Sequence, residues 1–183
     1  MNRPTAVGRW MHDTLERIGL TKAGMYRGGR PNRVAALLNR GWAIAGSAGL
    51  GPNRLVTLEV RGRRSGHLIS FPLMVADYQG ERYVAAMLGE GTNWVSNVRA
   101  AGGEAVLRHG RREAVRLEEV DPHARAPILQ RYLQVAPGAR PHIPVDRRAP
   151  LVEFERIAAQ YPVFRVRADS LQPNDRASPT RAR

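Results

Sequence analysis

Residues 54–78 read RLVTLEVRGRRSGHLISFPLMVADY, and this stretch decides the fold. Leu55, Thr57, Glu59 and Arg61 alternate with Val56, Leu58 and Val60. A period of two over seven residues predicts a half-buried strand, because successive side chains in a strand point to opposite faces. The turn sequence Gly62-Arg63-Arg64-Ser65-Gly66 ends it, and a second strand is expected over 67–78, with Pro72 marking an edge or bulge position. The Gln79-Gly80 turn leads to a third strand over 82–88. Two more are expected at 104–109 and 112–119, on either side of His109-Gly110-Arg111. Strands joined by turns this short pair antiparallel.

Working outward, Thr92 and Gly102 suit the two ends of a short helix that contains Asn93, Trp94, Asn97 and Val98. Asp121-Pro122 is an N-cap and first-turn pair for a helix running to about residue 135. A proline-rich loop follows, then an amphipathic helix over 149–160 and a last strand over 161–167. Upstream, residues 5–18 and 32–45 show helical spacing, separated by the glycine-rich break at 24–31. The expected organisation is an N-terminal helical extension at 1–52, a barrel domain at 53–168 and a disordered tail at 169–183. Strands do not alternate with helices, so a doubly wound sheet is disfavoured. The expected fold class is α+β, a small antiparallel split β-barrel of about six strands with flanking helices.

Composition narrows the chemistry. The 183 residues include 29 Lys or Arg against 16 Asp or Glu, for a formal charge of +13. Lys22 is the single lysine, so the positive charge is almost all arginine and persists at physiological pH. The excess is +6 in residues 1–50, +1 in 51–121, +5 in 122–168 and +1 in 169–183. Nucleic acid, an anionic membrane or a polyanionic small molecule would each suit that field, and codon composition is a further source of arginine. No RNP-like or helix-turn-helix signature accompanies the charge, so nucleic acid is not the expected partner.

The absence of cysteine excludes disulfides, thiol catalysis and cysteine-based metal sites. His12, His67, His109, His123 and His142 show no close ligand spacing, so no metal is expected. The longest uncharged run in the first third, Gly41 to Asn53, falls short of the ~20 apolar residues that span a bilayer. A soluble, cytoplasmic protein is expected, a monomer or dimer, with peripheral contact on the inner face of a membrane through the basic N-terminal helices as an option.

Two groups carry candidate chemistry. In the turn at 62–66, glycines permit the left-handed conformations in which backbone N–H groups converge, two arginines add charge-assisted donors and Ser65 adds a hydroxyl. Such a turn suits a phosphate; the plainer alternative is a solvated hairpin loop. On the short helix, Asn93 and Asn97 share a face with Trp94 beside them, which offers stacking area and neutral hydrogen-bond groups to a flat heterocycle. The alternative is that Trp94 and Val98 anchor the helix in the core. No G-x-S-x-G elbow surrounds Ser47, Ser65 or Ser70.

Taken in order, these elements resemble the deazaflavin-dependent nitroreductase family of split β-barrel oxidoreductases. The resemblance rests on Gly-Arg-Arg-Ser-Gly, then Phe71-Pro72-Leu73, then Tyr83-Val84-Ala85-Ala86, a glycine-containing loop, and Asn93-Trp94-x-x-Asn97 before a basic strand. It implies an 8-hydroxy-5-deazaflavin, coenzyme F420, with FMN the less favoured cofactor. It implies hydride transfer to an electrophilic small molecule such as a quinone, enone or nitro compound. The family's phosphate turn maps onto Arg63, Arg64, Ser65 and Gly66, its ring-lining strand onto Ala85, Ala86 and Met87, and its helix onto Trp94 and Asn97. The sequence departs from the family at the apolar Met87-Leu88-Gly89 and in having no tyrosine between Ala136 and Pro144, where His142 and Arg140 are the residues able to take a proton donor's place. A second reading is a noncatalytic barrel that holds a fatty acid or other lipid at a membrane surface.

Overall fold

The computed structural model describes residues 54–169, together with residues 26–27 and 30–31. The expected N-terminal helices at 5–18 and 32–45, and the tail beyond residue 169, lie outside the described residues. Tyr26–Arg27 (β1) and Arg30–Pro31 (β2) form a two-residue antiparallel ladder inside the glycine-rich break.

The remaining strands form one antiparallel sheet. They are β3 (Leu55–Arg61), β4 (Leu68–Met74), β5 (Ala76–Tyr78), β6 (Glu81–Ala85), β7 (Glu104–His109), β8 (Arg111–Glu119) and β9 (Val163–Ala168). Their order is β4-β3-β7-β8-β9-β6-β5. The two outermost strands are therefore consecutive in the chain, joined by Val75 alone, whose N–H donates to the Arg54 carbonyl at 2.8 Å. One bent strand serves both edges, and the sheet curls into a barrel. The predicted strand over 67–78 is thus two segments with different partners: Leu73 pairs with Val56, and Ala76 with Tyr83. Pro72 sits in edge strand β4, where its missing N–H costs no ladder bond.

Turn chemistry agrees with the sequence. Gln79 (φ 49°) and Gly80 (φ 78°) give both central residues positive φ, as a two-residue hairpin of this hand requires. The third strand stops at Ala85 rather than Leu88, because the next N–H groups leave the ladder: Ala86 donates to Pro162 O at 2.8 Å, and Gly89 to Ala86 O at 2.9 Å.

Alternation along the strands separates two cores. Val56, Leu58, Val60, Val84, Leu107, Val115, Leu117, Phe164 and Val166 fill the barrel, joined by Val95 and Val98 from helix α1 (Asn93–Ala100). On the opposite face of β5, β6 and β9, helices α2 (Arg125–Val135) and α3 (Leu151–Ile157) cover Ala76, Tyr83, Ala85 and Val163 with Ile128, Leu129, Tyr132, Leu133 and Phe154. Tyr132 is wholly buried there, and that burial pushes its hydroxyl well above the usual tyrosine range.

Strand β3 departs from the half-buried expectation. It lies between β4 and β7, and its second face is also covered: Glu59 is only 6% exposed, with Arg112 Nη2 at 2.8 Å and Arg108 Nη1 at 3.8 Å. Two flanking arginines compensate the buried carboxylate, which hydrophobic alternation alone does not reveal.

Candidate active site

One end of the barrel gathers nearly every residue singled out by the sequence. There β3 ends, β4 begins, β6 gives way to the loop at 86–92, and α1 sits across the opening. Thr92 stands just before α1, and its hydroxyl donates to Gly89 O instead of capping the helix, which tightens the loop. Trp94 packs between Phe71, at 5.9 Å between ring centroids, and Phe164, at 5.4 Å. Its indole thus plugs the barrel from the helix side and shapes the mouth by packing.

The turn at 62–67 is tied to itself and to α1. Gly62 N–H donates to His67 O and Gly66 N–H to Gly62 O, both at 2.8 Å, while Ser65 Oγ accepts from His67 N–H at 3.3 Å. Gly66 adopts φ +67°, which favours glycine, and a side chain at Gly62 would have to displace the ends of Ser65 and Ile69, which lie within 3 Å of it. Arg63 reaches across to the helix. Its N–H and its Nη1 both donate to Asn97 Oδ1, at 3.2 and 2.9 Å, and the same guanidinium contacts Asn93 O and Asn93 Oδ1 at 3.4 Å. Arg61 Nη1 donates to Gly66 O at 3.2 Å.

The donor set for an anion can be read by subtraction. Gly62, Arg63, Gly66 and His67 spend their N–H groups inside this framework. Among the described residues, no partner meets the N–H groups of Arg64 and Ser65 or the exposed Arg64 guanidinium. Two adjacent backbone donors, a free guanidinium and the nearby charges of Arg61 and Arg63 fit a phosphate. Arg63 and Asn97, which sequence reading placed in contact with a ligand, are instead bonded to each other, and Asn97 is 3% exposed.

The predicted ring-lining segment divides. Ala85 faces the outer core under the helices, Ala86 faces the barrel interior, and Met87 packs partly against the outer core. Beyond them, Leu88, Gly89 and Glu90 form one wall of an open cleft of about 450 Å³, with His142, Gln160 and Tyr161 on the other. Tyr161 Oη donates to the His142 carbonyl at 3.1 Å, and burial pushes the Tyr161 hydroxyl up. Glu90 is paired with Arg99, which holds its carboxyl below the usual range. Arg140 turns away: Nε and Nη2 donate to Leu133 O and Gln134 O, at 3.0 and 3.2 Å, at the end of α2. His142 rather than Arg140 therefore lines the cleft.

Sequence reading missed Glu90, Gln160 and Tyr161. They share no motif, and the cleft forms because Glu90 N–H bonds Gln160 O across 70 residues at 3.0 Å. The lipid reading has little room among the described residues, since side chains fill the barrel interior. No helix among the described residues is long and apolar enough to cross a membrane.

No family model matches the chain, and no curated protein matches it. Several solved structures are similar. An F420-H2 dependent reductase is 20% identical with a TM-score of 0.38, covering 62% of this chain and 94% of that one. An FAD-binding protein from Mesorhizobium loti is 16% identical with a TM-score of 0.43, covering 69% and 89%. A protein of the pyridoxinephosphate oxidase family from Clostridium acetobutylicum is 12% identical with a TM-score of 0.44, covering 71% and 85%.

Proposed function

We propose that the chain is an oxidoreductase that transfers a hydride from a reduced 5-deazaflavin coenzyme to an electrophilic small molecule, a quinone, enone or nitro compound. The observation that carries this reading is the turn at 62–67, held against α1 by Arg63, with the donors of Arg64 and Ser65 unpartnered among the described residues beside the barrel mouth. Arg64 and Ser65 hold the coenzyme's phosphate, Gly66 makes the turn possible, and Arg63 keeps it in place while adding positive field. Ala86 and Trp94 act by packing and Asn97 by holding Arg63, giving the mouth its shape, with Ala85 and Met87 fixing the end of β6. A 5-deazaflavin supplies a hydride at the carbon that replaces flavin N5, so the protein's task is to orient two reactants and exclude water.

His142 and Tyr161 stand across the cleft from Leu88, Gly89 and Glu90, where an electrophile would present its oxygen atoms. Burial raises the Tyr161 hydroxyl and keeps it protonated at neutral pH, and His142 brings an imidazole to the same cleft. Titration of the full chain with coenzyme F420, followed by quenching of the deazaflavin fluorescence, tests the reading. Saturable binding at micromolar concentration is expected. Tight FMN binding without F420 binding would overturn it.

A further inference from the structure

The described residues expose four large hydrophobic side chains in two adjacent pairs: Leu68 and Ile69 beside the turn at 62–67, and Leu151 at 40% and Val152 at 47% at the start of α3. Only Phe154 of that helix is fully buried. Arg147 and Arg148 precede the α3 pair, separated from it by Ala149 and Pro150. With Gln130 and Gln134 of α2 they line a second open cleft, of about 350 Å³. Gln130 Nε2 donates to Ala149 O at 2.9 Å, which fixes the loop carrying the two arginines against α2. Gln134 Oε1 accepts from Arg131 Nη1 at 3.2 Å, which leaves its amide N–H groups as donors.

The charge here is unbalanced. Asp146 spends Oδ1 on the Arg148 N–H at 2.8 Å, and neither guanidinium has a partner among the described residues. Arg140, close by, is pushed down from the ordinary arginine range by burial and by the charge of Arg147. The surrounding segment, 122–168, carries 8 basic and 3 acidic side chains, an excess that the phosphate turn does not use. Glu153 and Glu155 are the other acidic groups in it.

Unpaired arginines beside exposed aliphatic side chains match one kind of surface. Anionic lipid headgroups present phosphates at the depth of the basic groups, and the acyl boundary lies a few ångströms deeper, where Leu and Val are favoured. A nucleic acid would satisfy the arginines but would leave the aliphatic pair in water, since stacking on bases needs aromatic rings. We infer that this face docks on an anionic membrane, with lipid phosphates in the cleft of Arg147 and Arg148 and with Leu151 and Val152 entering the interface. These residues lie outside the N-terminal segment considered in the sequence, and the cleft would hold lipid phosphates whether or not the barrel binds a deazaflavin.

The test uses the full chain and vesicles of phosphatidylcholine alone or with 30% phosphatidylglycerol. Because the protein has no cysteine, Val152→Cys gives a single site for an environment-sensitive fluorophore. Anionic vesicles should shift its emission to the blue by 10 nm or more, while neutral vesicles and inorganic phosphate should not. Arg147→Glu combined with Arg148→Glu should reduce co-sedimentation with anionic vesicles at least fivefold, and Leu151→Ser with Val152→Ser should do so at low ionic strength. All of these positions are at the surface, so circular dichroism should confirm that the variants fold. Vesicle binding without a fluorophore shift would place the contact elsewhere and overturn the inference. So would charge-reversal variants that sediment like the parent while losing RNA binding.

Discussion

A single side-chain oxygen, Asn97 Oδ1, accepts both the backbone N–H and the guanidinium of Arg63, at 3.2 and 2.9 Å. The turn after β3 and the helix that plugs the barrel are thereby one unit, although 34 residues separate the partners. Hydrogen bonds to charged groups contribute about 1.5–3 kcal/mol, so Asn97→Leu should lower stability by an amount of that order. Asn97→Asp separates structure from binding. Aspartate still accepts from Arg63 and should hold stability, but its negative charge near Arg64 and Ser65 should weaken F420 binding about tenfold. Equal affinity in the Asp variant, measured by fluorescence titration, would remove the phosphate from this turn.

Close backbone approach predicts a second pair of effects. At Gly103, φ is +85° and an added Cβ would lie 2.6 Å from Leu117 O, where the Leu117 N–H also bonds Gly103 O at 2.8 Å. Gly103→Ala should therefore cost at least about 2 kcal/mol in urea denaturation, because neither the dihedral nor the space suits a side chain. Gly138 has nothing within 4 Å of an added Cβ and no positive φ, so Gly138→Ala should be within ~0.5 kcal/mol of the parent. Similar losses at both positions would discredit the packing argument.

Alternation in β3, the Gln79-Gly80 hairpin and the Thr92 to Gly102 helix were readable because each signal is local. The roles of Arg63, Asn97 and Trp94 were not, since composition identifies a donor or an aromatic ring without saying whether a ligand or another side chain meets it. Asn97 is the clearest case: the asparagine suited to a heterocycle edge instead holds an arginine. Glu59 shows the converse, a charge in the outward phase of a strand that is buried because two arginines from neighbouring strands cover it. Likewise, the division of 67–78 into two strands follows from closing the sheet, which no local pattern encodes.

Acid should act through Glu113. Arg82 donates to both of its carboxylate oxygens, at 2.5 and 2.9 Å, and these bonds hold the Glu113 carboxyl below its ordinary 4.5. The pair links β6 to β8 across β9, at the end of the barrel opposite α1. A carboxyl whose folded pKa is depressed contributes stability that is fully present above the unfolded value and is lost as pH falls through the folded one. The melting temperature should therefore change little through this group between pH 7 and about 5, then fall below about 4.5. Glu113→Gln should lower stability at pH 7 and flatten the acid limb. An acid limb as steep as the parent's would assign the loss to other carboxylates. Glu90 shifts in the same direction, but its side chain is 54% exposed and solvent screening reduces its share.

The loop that walls the cleft depends on a chain of four charges. Arg99 pairs with Glu90 on the loop and with Glu119 at the end of β8, and Glu119 Oε1 also accepts from Arg125 Nη2 at 3.0 Å. Arg125 is 4% exposed, and its Nε donates to Val120 O at 2.8 Å. Removing Glu119 leaves that buried cation without its counter-charge, and breaking a buried pair from one side costs about 3–5 kcal/mol. Because Glu119 is itself 29% exposed, the loss in Glu119→Ala should fall at or below the lower end of that range. Arg125→Met in the Glu119→Ala background removes the uncompensated charge and should restore part of the stability, giving a coupling of about 1–3 kcal/mol in a double-mutant cycle. The same cycle has a functional side: with Glu119 absent, Arg99 keeps only Glu90, and the loop at 88–92 should loosen, raising KM for the electrophile more than it lowers F420 affinity. Additivity of the two substitutions within ~0.3 kcal/mol would show that Arg125 is held by backbone carbonyls alone.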